Sequence, residues 1–423
     1  MQMDNWKLVR AADIIDFNPR ESVLKGTQTK KVGMERLQPF TRDISSYEIA
    51  PFKGGSKFRN GDTLMARITP CLENGKTAQV SILEDNEVGF GSTEFIVLRE
   101  KPNVSDKDFI YYLAMSPLLR DKAIKSMVGS SGRQRVQLGV LNDTMFYAPP
   151  LDEQIEIGRI LRLLDDKITN NTKINHHLEK IVQSIFKSWF LDFEPFEDDD
   201  FIDSELGEIP AGWSMQTIEY LAEKVAMGPF GSNIKVETFV NDGVPIISGK
   251  HLRGLYLDEL EYNFVTEEHA RRLSNSLVRA GDIIFTHAGN IGQVALIPDD
   301  CDYPYYVVSQ RQFYLRCDKT KALPEYINYF FHSHEGKGKL LANASQTGVP
   351  SIARPSSHLK SIAVVLPPIG VQLEWFETVQ PILQTLNSNT KESKKLAFIR
   401  DSLLPRLMSG ELSVVDLTAN CTT

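Results

Sequence analysis

The sequence contains little cysteine. Its four cysteines among 423 residues form no CxxC pair and no paired cysteine–histidine spacing, which argues against a zinc site and a disulfide framework. It also lacks a basic-then-apolar signal at its start and any apolar run long enough to span a bilayer. These absences predict a protein of a reducing compartment, the cytoplasm.

Two catalytic signatures are also missing. The Pro-Pro pairs at 149–150 and 367–368 lack the preceding acidic or amide residue of a methyltransferase Asn/Asp-Pro-Pro-aromatic motif. The Gly-Lys pairs are followed by His251 and Leu340, and not by the Ser or Thr that a P-loop requires. The adjacent histidines 176–177 have no second ligand pair, so we expect no metal site. The sequence therefore offers no motif for methyl transfer or for nucleotide binding.

The charge balance is acidic. The formal net charge is −8, which by itself counts against nucleic-acid binding. Eight acidic residues of one short stretch account for this whole excess, so the remainder of the chain is neutral and can carry a basic face. They are Glu194, Glu197, Asp198, Asp199, Asp200, Asp203, Glu205 and Glu208.

The two halves of the sequence repeat each other. Residues 149–156 return as 367–374, 218 positions later, and the same offset carries Asn-Thr-Lys at 171–173 onto 389–391. A repeat of this length is a whole domain plus a helix, far longer than a solenoid unit. Two similar halves on one chain predict a built-in pseudo-dimer, which suits a target that itself has two parts.

The repeat continues through the globular part of each half. Residues 59–65 and 279–285 share an Arg-x-Gly-Asp start followed by an apolar strand, and 92–99 resemble 309–316. Short alternating or apolar stretches of this kind predict β-strands. The loops between these stretches differ, as expected for two copies of one fold adapted to different ligands.

A long amphipathic helix follows each globular half. Seam positions alternate at +4 and +3 over 157–189 and again over 375–407. They are apolar except near the middle of each helix and at Arg400. Each helix would be about 50–60 Å long at 1.5 Å per residue. Neither helix can bury its apolar stripe alone, so we expect the two to pack against each other.

Each helix carries an asparagine in the middle of its seam, Asn171 and Asn389. One interpretation is a solvated helix position. The alternative is a register pin, since two buried amides satisfy each other in only one alignment.

Together these patterns predict an α+β fold of two globular α/β domains, each followed by a long helix, with the helices paired as an antiparallel coiled coil of pseudo-two-fold symmetry. We interpret the acidic join as a solvated tether, with a docking strip for a partner as the alternative. The predicted bounds are 1–150 for the first domain, 151–190 for its helix, 191–212 for the acidic linker, 213–368 for the second domain, 369–410 for its helix and 411–423 for a tail.

Three phrases of the sequence carry a family resemblance. They are the join at 193–213 with its Gly-Glu-Ile-Pro-x-Gly-Trp end, the Leu-Pro-Arg-Leu-Met-Ser-Gly-Glu-Leu ending at 404–412, and the Pro-Pro-Φ-x-x-Gln start of each helix. With the duplication, they make the chain resemble the specificity (S) subunit of type I restriction-modification enzymes over essentially its whole length.

This resemblance implies a non-catalytic prokaryotic subunit that reads double-stranded DNA. Its two target-recognition domains would bind a bipartite asymmetric sequence, with the paired helices as spacer ruler and docking platform. Two modification (methyltransferase) subunits would methylate adenine with S-adenosylmethionine, and restriction (translocase-nuclease) subunits would use ATP and Mg. The alternatives are a scaffold or decoy that binds modification subunits without reading DNA, and a free-standing enzyme, for which the sequence offers no motif.

DNA contact requires cations for phosphates and planar polar side chains for base edges. Arginine pairs with guanine and glutamine with adenine, each such contact discriminating by about 1–3 kcal/mol. The best cluster follows the Gly/Ser turn at 129–132, and the second half has a corresponding loop. The candidates are Lys57, Arg59, Arg67, Arg133, Gln134 and Arg135 in the first half, and His287, Asn290, Gln310, Arg311, Gln346, Thr347 and Arg354 in the second.

Overall fold

The computed structural model describes residues 5–204, 207–231, 234–345 and 348–414. The chain divides into two compact units. Unit 1 comprises Met1–Asn175 and Asn387–Thr423, and unit 2 comprises His176–Leu386. Each long helix contributes one part to unit 1 and the other part to unit 2.

Two four-stranded sheets form the globular part of unit 1. One has the order β2-β9-β6-β7 and is antiparallel; the other has the order β4-β3-β8-β5, with β3 and β8 parallel. A separate ladder joins β1 to β10. The elements are β1 (Lys7–Arg10), α1 (Ala11–Ile14), β2 (Ile15–Phe17), β3 (Gln28–Val32), β4 (Glu48–Pro51), β5 (Ser56–Phe58), β6 (Thr63–Ala66), β7 (Thr77–Gln79), β8 (Gly89–Gly91), β9 (Phe95–Glu100), α2 (Lys107–Met115), α3 (Pro117–Lys125), α4 (Leu138–Asn142), β10 (Met145–Ala148) and α5 (Leu151–Phe190).

Unit 2 repeats this topology strand for strand. Its sheets have the orders β14-β21-β18-β19 and β16-β15-β20-β17, the second with β15 and β20 parallel, and β13 pairs with β24. The hairpin β11-β12 is an addition, whereas β22-β23 corresponds to the hairpin that the Val128–Arg135 bridge closes in unit 1. The elements are β11 (Phe201–Ser204), β12 (Gly207–Pro210), β13 (Ser214–Thr217), α6 (Ile218–Leu221), β14 (Ala222–Met227), β15 (Val244–Ile247), β16 (Asn263–Val265), α7 (Glu267–Arg272), β17 (Leu277–Val278), β18 (Asp282–Thr286), β19 (Val294–Leu296), β20 (Tyr306–Val308), β21 (Gln312–Cys317), α8 (Pro324–His332), α9 (His334–Leu341), β22 (Ala344–Ser345), β23 (Ser351–Ile352), α10 (Pro355–Ser361), β24 (Ala363–Leu366) and α11 (Ile369–Met408).

The central strands β6 and β18 are buried on both faces. Successive side chains of a strand point to opposite sides, so Leu64 packs in one apolar cluster and Met65 in another. In unit 2, Ile284 and Phe285 divide in the same way. The middle residues of both strands are therefore apolar on both faces.

A buried ion pair fixes the start of each central strand. Gly61 and Gly281 adopt φ of 92° and 83°, the left-handed region that glycine enters without steric cost. The next residue, Asp62 or Asp282, is buried. Asp62 accepts two hydrogen bonds from Arg99 at 2.6 and 2.7 Å, and Asp282 binds Arg316 at 2.7 and 2.6 Å. The repeated Gly-Asp motif is therefore structural in both units.

A buried glutamine explains the Pro-Pro-Φ-x-x-Gln motif. In unit 1, Gln154 Nε2 donates to the Pro149 carbonyl at 2.9 Å, and Gln154 Oε1 accepts from Asp106 N at 3.3 Å. In unit 2, Gln372 Nε2 donates to the Pro367 carbonyl at 2.9 Å, and its Oε1 accepts from Leu323 N at 2.8 Å. One amide therefore joins the first turn of each long helix to the loop before α2 or α8.

Gln372→Ala is expected to lower the free energy of unfolding of the full chain by about 1–3 kcal/mol, because it leaves the amide of Leu323 buried without its acceptor. Urea unfolding followed by tryptophan fluorescence measures the change. Gln384→Ala, an exposed position of the same helix, serves as the control and should change stability by less than about 0.5 kcal/mol. Equal effects of the two substitutions would contradict this role.

The long helices are antiparallel in both units, as predicted. In unit 1, Asp165 of α5 pairs with Arg400 of α11 at 2.6 Å, and Asn175 donates to Thr390 Oγ1 at 3.1 Å. In unit 2, the ring centroid of Phe190 lies 5.5 Å from that of Trp375. The predicted α+β fold with a paired helical region is confirmed.

The acidic join is more ordered than a tether. Phe193 and Phe196 pack edge-on against Trp213, with ring centroids 5.4 and 5.1 Å apart. The hairpin β11-β12 follows. Aromatic burial thus anchors the segment in unit 2, while the described acidic residues from Glu197 to Asp203 remain exposed.

Candidate nucleic-acid interface

A tight hairpin presents the first candidate cluster in unit 1. Val128 and Arg135 exchange backbone hydrogen bonds of 3.1 and 2.9 Å, and Gly129 and Gly132 supply the positive φ that the turn needs. Arg133 is exposed near the tip. Gln134 is half-buried, and its carbonyl accepts a hydrogen bond from Thr69 N.

A carboxylate that the sequence analysis missed holds this cluster. Glu94 accepts hydrogen bonds from Arg135 Nε at 3.0 Å and from Arg135 Nη2 at 2.6 Å. Its carboxylate also lies 4.0 Å from Arg67 Nε. The hydrogen bonds from Arg135 lower the pKa of Glu94 below its usual value, so the group stays ionised at neutral pH. The bidentate pair fixes the plane of the Arg135 guanidinium while leaving it partly exposed.

The repeat contained a signal for Glu94. Ser92 matches Ser309, which places Glu94 at the position of Arg311, a residue that the sequence analysis did select. The first half thus has an acidic residue where the second half has a basic one.

Lys57 and Arg59 lie apart from this cluster. Arg59 Nε pairs with Glu21 at 2.7 Å, and Lys57 donates to the Glu21 carbonyl. Arg59 precedes β6 and Arg67 follows it, so the two arginines flank opposite ends of one strand. The structure brings Arg67, Gln134 and Arg135 together but does not bring Arg59 to them.

In unit 2 the candidates following β18 and preceding β21 meet. His287 Nε2 donates to the Gln310 carbonyl at 3.1 Å, and His287 N donates to the Arg311 carbonyl at 3.0 Å. Gly289 N donates to Pro350 at 2.9 Å, which ties the loop to the β22-β23 hairpin. The side chains of Asn290, Gln310 and Arg311 are exposed.

The remaining candidates are Arg354, Gln346 and Thr347. Arg354 is exposed and adopts φ 45°, immediately before α10. Gln346 and Thr347 lie outside the described residues. The DNA-contacting role of all these positions stays a prediction.

The side-chain amides of the two central asparagines do not bond to each other, as the register hypothesis expected them to. Asn171 Nδ2 donates to Glu392 Oε2 at 2.7 Å and to the Asn389 carbonyl at 3.4 Å. The amide of Asn389 instead donates to Asn175 Oδ1 at 2.9 Å. The antiparallel helices place the two asparagines one turn out of step, so each amide finds another partner. Their role in register remains a prediction.

Within the described ranges, no group of three or more His, Cys, Asp or Glu side chains could hold a metal ion. None of the helices there combines the length and apolar character needed to cross a membrane. The described cysteines Cys71, Cys301 and Cys317 are free thiols.

Comparison with known proteins identifies the two halves. The model of the type I restriction modification DNA specificity domain matches residues 3–180 and again 210–397. The MjaIX specificity subunit of Methanocaldococcus jannaschii is 27% identical over 323 residues, covering 73% of this chain and 70% of that protein. The HindI specificity subunit of Haemophilus influenzae is 23% identical, covering 97% and 100%.

Solved structures agree at the level of the fold. The S subunit of a type I restriction-modification system from M. genitalium superposes with a TM-score of 0.55 at 15% identity, covering 96% of each chain. The two matches together cover most of the chain, so the chain belongs to the type I restriction-modification DNA specificity family.

Proposed function

We propose that this chain is the DNA sequence-recognition subunit of a type I restriction-modification enzyme and reads a bipartite, asymmetric target. The observation that carries the proposal is the presence of two copies of the DNA specificity domain on one chain. Polar side chains differ between the two copies at the same end of their central strands: Glu94 and Arg135 in one, His287 and Arg311 in the other. Different side chains at equivalent places suit two different half-sites.

We assign the target-recognition domains to 1–150 and 213–368, and the helices that follow them to 151–190 and 369–410. In this proposal the antiparallel helices set the spacing between half-sites and offer a docking platform. Modification and restriction subunits would supply all chemistry, with S-adenosylmethionine, ATP and Mg bound by those partners. The protein would act in the cytoplasm of a prokaryote.

Mapping methylated positions in DNA modified by the complex tests this proposal. We expect one target of two specified parts separated by a constant gap. A scaffold or decoy would give no sequence preference that depends on this chain, and modification or cleavage by the purified chain alone would support a free-standing enzyme.

Arg135→Ala is expected to relax the specified sequence at one position of one half-site, at a loss of discrimination of about 1–3 kcal/mol. The reason is that Glu94 holds the guanidinium in a fixed plane suited to a bidentate contact with a base. Methylation mapping of the variant complex measures the change. Arg159→Ala is the control, since Arg159 makes a similar pair with Glu156 on a helix surface at 2.7 Å. An unchanged target for Arg135→Ala would remove this residue from the interface.

A further inference from the structure

An exposed phenylalanine stands beside the candidate DNA-reading residues of unit 2. Phe230 follows β14, and 72% of it is exposed. The loop that carries it is tightly held, because Gly228 N donates to the Gln312 carbonyl at 2.9 Å. A Cβ atom at Gly228 would lie only 1.9 Å from the Ser309 carbonyl oxygen. Close backbone packing therefore fixes the base of the loop and leaves the ring outside.

Hydrogen bonds connect this loop to the polar cluster. Gln310 Nε2 donates to the carbonyls of Gly231 and Ile234. The Gln310 carbonyl in turn accepts from His287 Nε2 at 3.1 Å. Phe230 thus lies on the same surface as Gln310 and His287, one residue from a carbonyl that the Gln310 amide binds.

Single exposed apolar residues are common on proteins, so exposure alone says little. Here the ring lies two residues after the anchored Gly228 and beside donors and acceptors suited to base edges. Phenylalanine contributes to DNA recognition by apolar contact with the thymine methyl group and by packing against partly unstacked bases. Contact with the thymine methyl group depends on base identity, and the uncharged ring neutralises no phosphate.

We propose that Phe230 contacts bases of the half-site read by unit 2 and is a specificity-determining residue. This inference rests on the proposed DNA-recognition function. It predicts that replacing Phe230 lowers the ratio of the affinity for the target half-site to the affinity for a scrambled half-site. Binding to scrambled DNA itself should change little.

The experiment uses the complex of the full chain with its modification subunits, after the target has been mapped. Phe230→Ala should lower the affinity ratio by about 5- to 150-fold, the equivalent of one base contact, and Phe230→Leu should lower it less. Tyr220→Ala is a matched control, since Tyr220 is 49% exposed on α6, which precedes β14 whereas Phe230 follows it, and it should leave the ratio unchanged.

The inference is overturned if Phe230→Ala keeps the wild-type ratio while Arg135→Ala still relaxes the other half-site. It is also overturned if Phe230→Ala weakens binding equally to target and scrambled DNA. If the wild-type complex itself shows no preference, the proposed function fails first, which is a different result from either of these.

Discussion

Arg400→Ala is expected to destabilise unit 1 by about 3–5 kcal/mol, because it leaves the Asp165 carboxylate buried without its cation. Asp165 is 5% exposed and Arg400 is 12% exposed by side chain, with Nη1 and Oδ1 2.6 Å apart. Tyr112 donates a second hydrogen bond to Asp165 at 2.6 Å. Burial alone would lower the pKa of Arg400, but the charges and hydrogen bonds of Asp165 and Asp401 together outweigh it and raise that pKa. Arg400 therefore stays charged, and its loss is costly.

Urea unfolding of the full chain measures this cost, and hydrogen exchange of the α5 and α11 peptides assigns it to unit 1. Arg159→Ala is the control, since its exposed pair with Glu156 should contribute only about 0–1 kcal/mol. A loss for Arg400→Ala no greater than for Arg159→Ala would show that the pair contributes little to stability.

The equivalent positions in unit 2 suggest a double substitution that should restore the stability lost in Arg400→Ala. The 218-residue offset maps Asp165 onto Leu383 and Val182 onto Arg400, and both Leu383 and Val182 are buried in the apolar core of unit 2. Asp165→Leu combined with Arg400→Val should therefore restore most of the stability lost in Arg400→Ala, since apolar replacement of a whole buried pair is often neutral or stabilising.

The same four residues favour pairing of α5 with α11 over pairing of like helices. If α5 met the α5 of another copy in this register, Asp165 would face Val182 in place of Arg400. Two α11 helices would likewise place Arg400 opposite Leu383. Each arrangement buries an unpaired charge, which costs several kcal/mol. The difference between the halves thus helps the chain to pair its own two helices.

Much of the fold follows from the sequence because the repeat marks it. The Gly-Asp turns and the Pro-Pro-Φ-x-x-Gln helix starts are local patterns, and each corresponds to a defined contact in both units. Arg400 interrupts the apolar seam in the sequence, and only the partner helix shows that Asp165 faces it. Contacts between distant residues of this kind leave no periodic signal.

The candidate interface was less predictable for the same reason. Glu94 is a single acid before a strand, and its importance arises from Arg135, which is 41 residues away. Arg59 was a candidate because it flanks the Gly-Asp motif. It precedes β6 and Arg67 follows β6, so the length of the strand separates the two arginines. The linker aromatics Phe193 and Phe196 gave no periodic pattern, although their packing on Trp213 orders the segment.

The DNA affinity of the complex is expected to fall steeply with salt, although this chain carries a net charge of −8. Each phosphate neutralised by a cation contributes about −0.9 to the slope of log K against log salt. Six such contacts would reduce affinity by about a thousandfold between 50 and 200 mM salt. The eight acidic residues of the join account for this whole excess, so the rest of the chain is neutral.

Substitutions of Arg133 and Arg135 should have different effects in this experiment. Among the described residues the Arg133 guanidinium makes no hydrogen bond or ion pair, and the residue is exposed at the hairpin tip. We therefore expect Arg133→Ala to reduce the steepness of the salt slope by about 0.9 and to weaken target and scrambled DNA alike. Arg135, held by Glu94, should affect the preference for target more than the slope.

Binding titrations at four or more salt concentrations, on target and scrambled DNA, measure both quantities, with Arg159→Ala as a charge-matched control. A wild-type slope near zero would contradict phosphate binding by the complex. A slope that Arg133→Ala and Arg159→Ala change equally would exclude the hairpin tip as a phosphate contact, because both substitutions remove one positive charge. Only a residue at the DNA surface releases a counterion on binding, so the difference between these two slopes locates the interface on the hairpin.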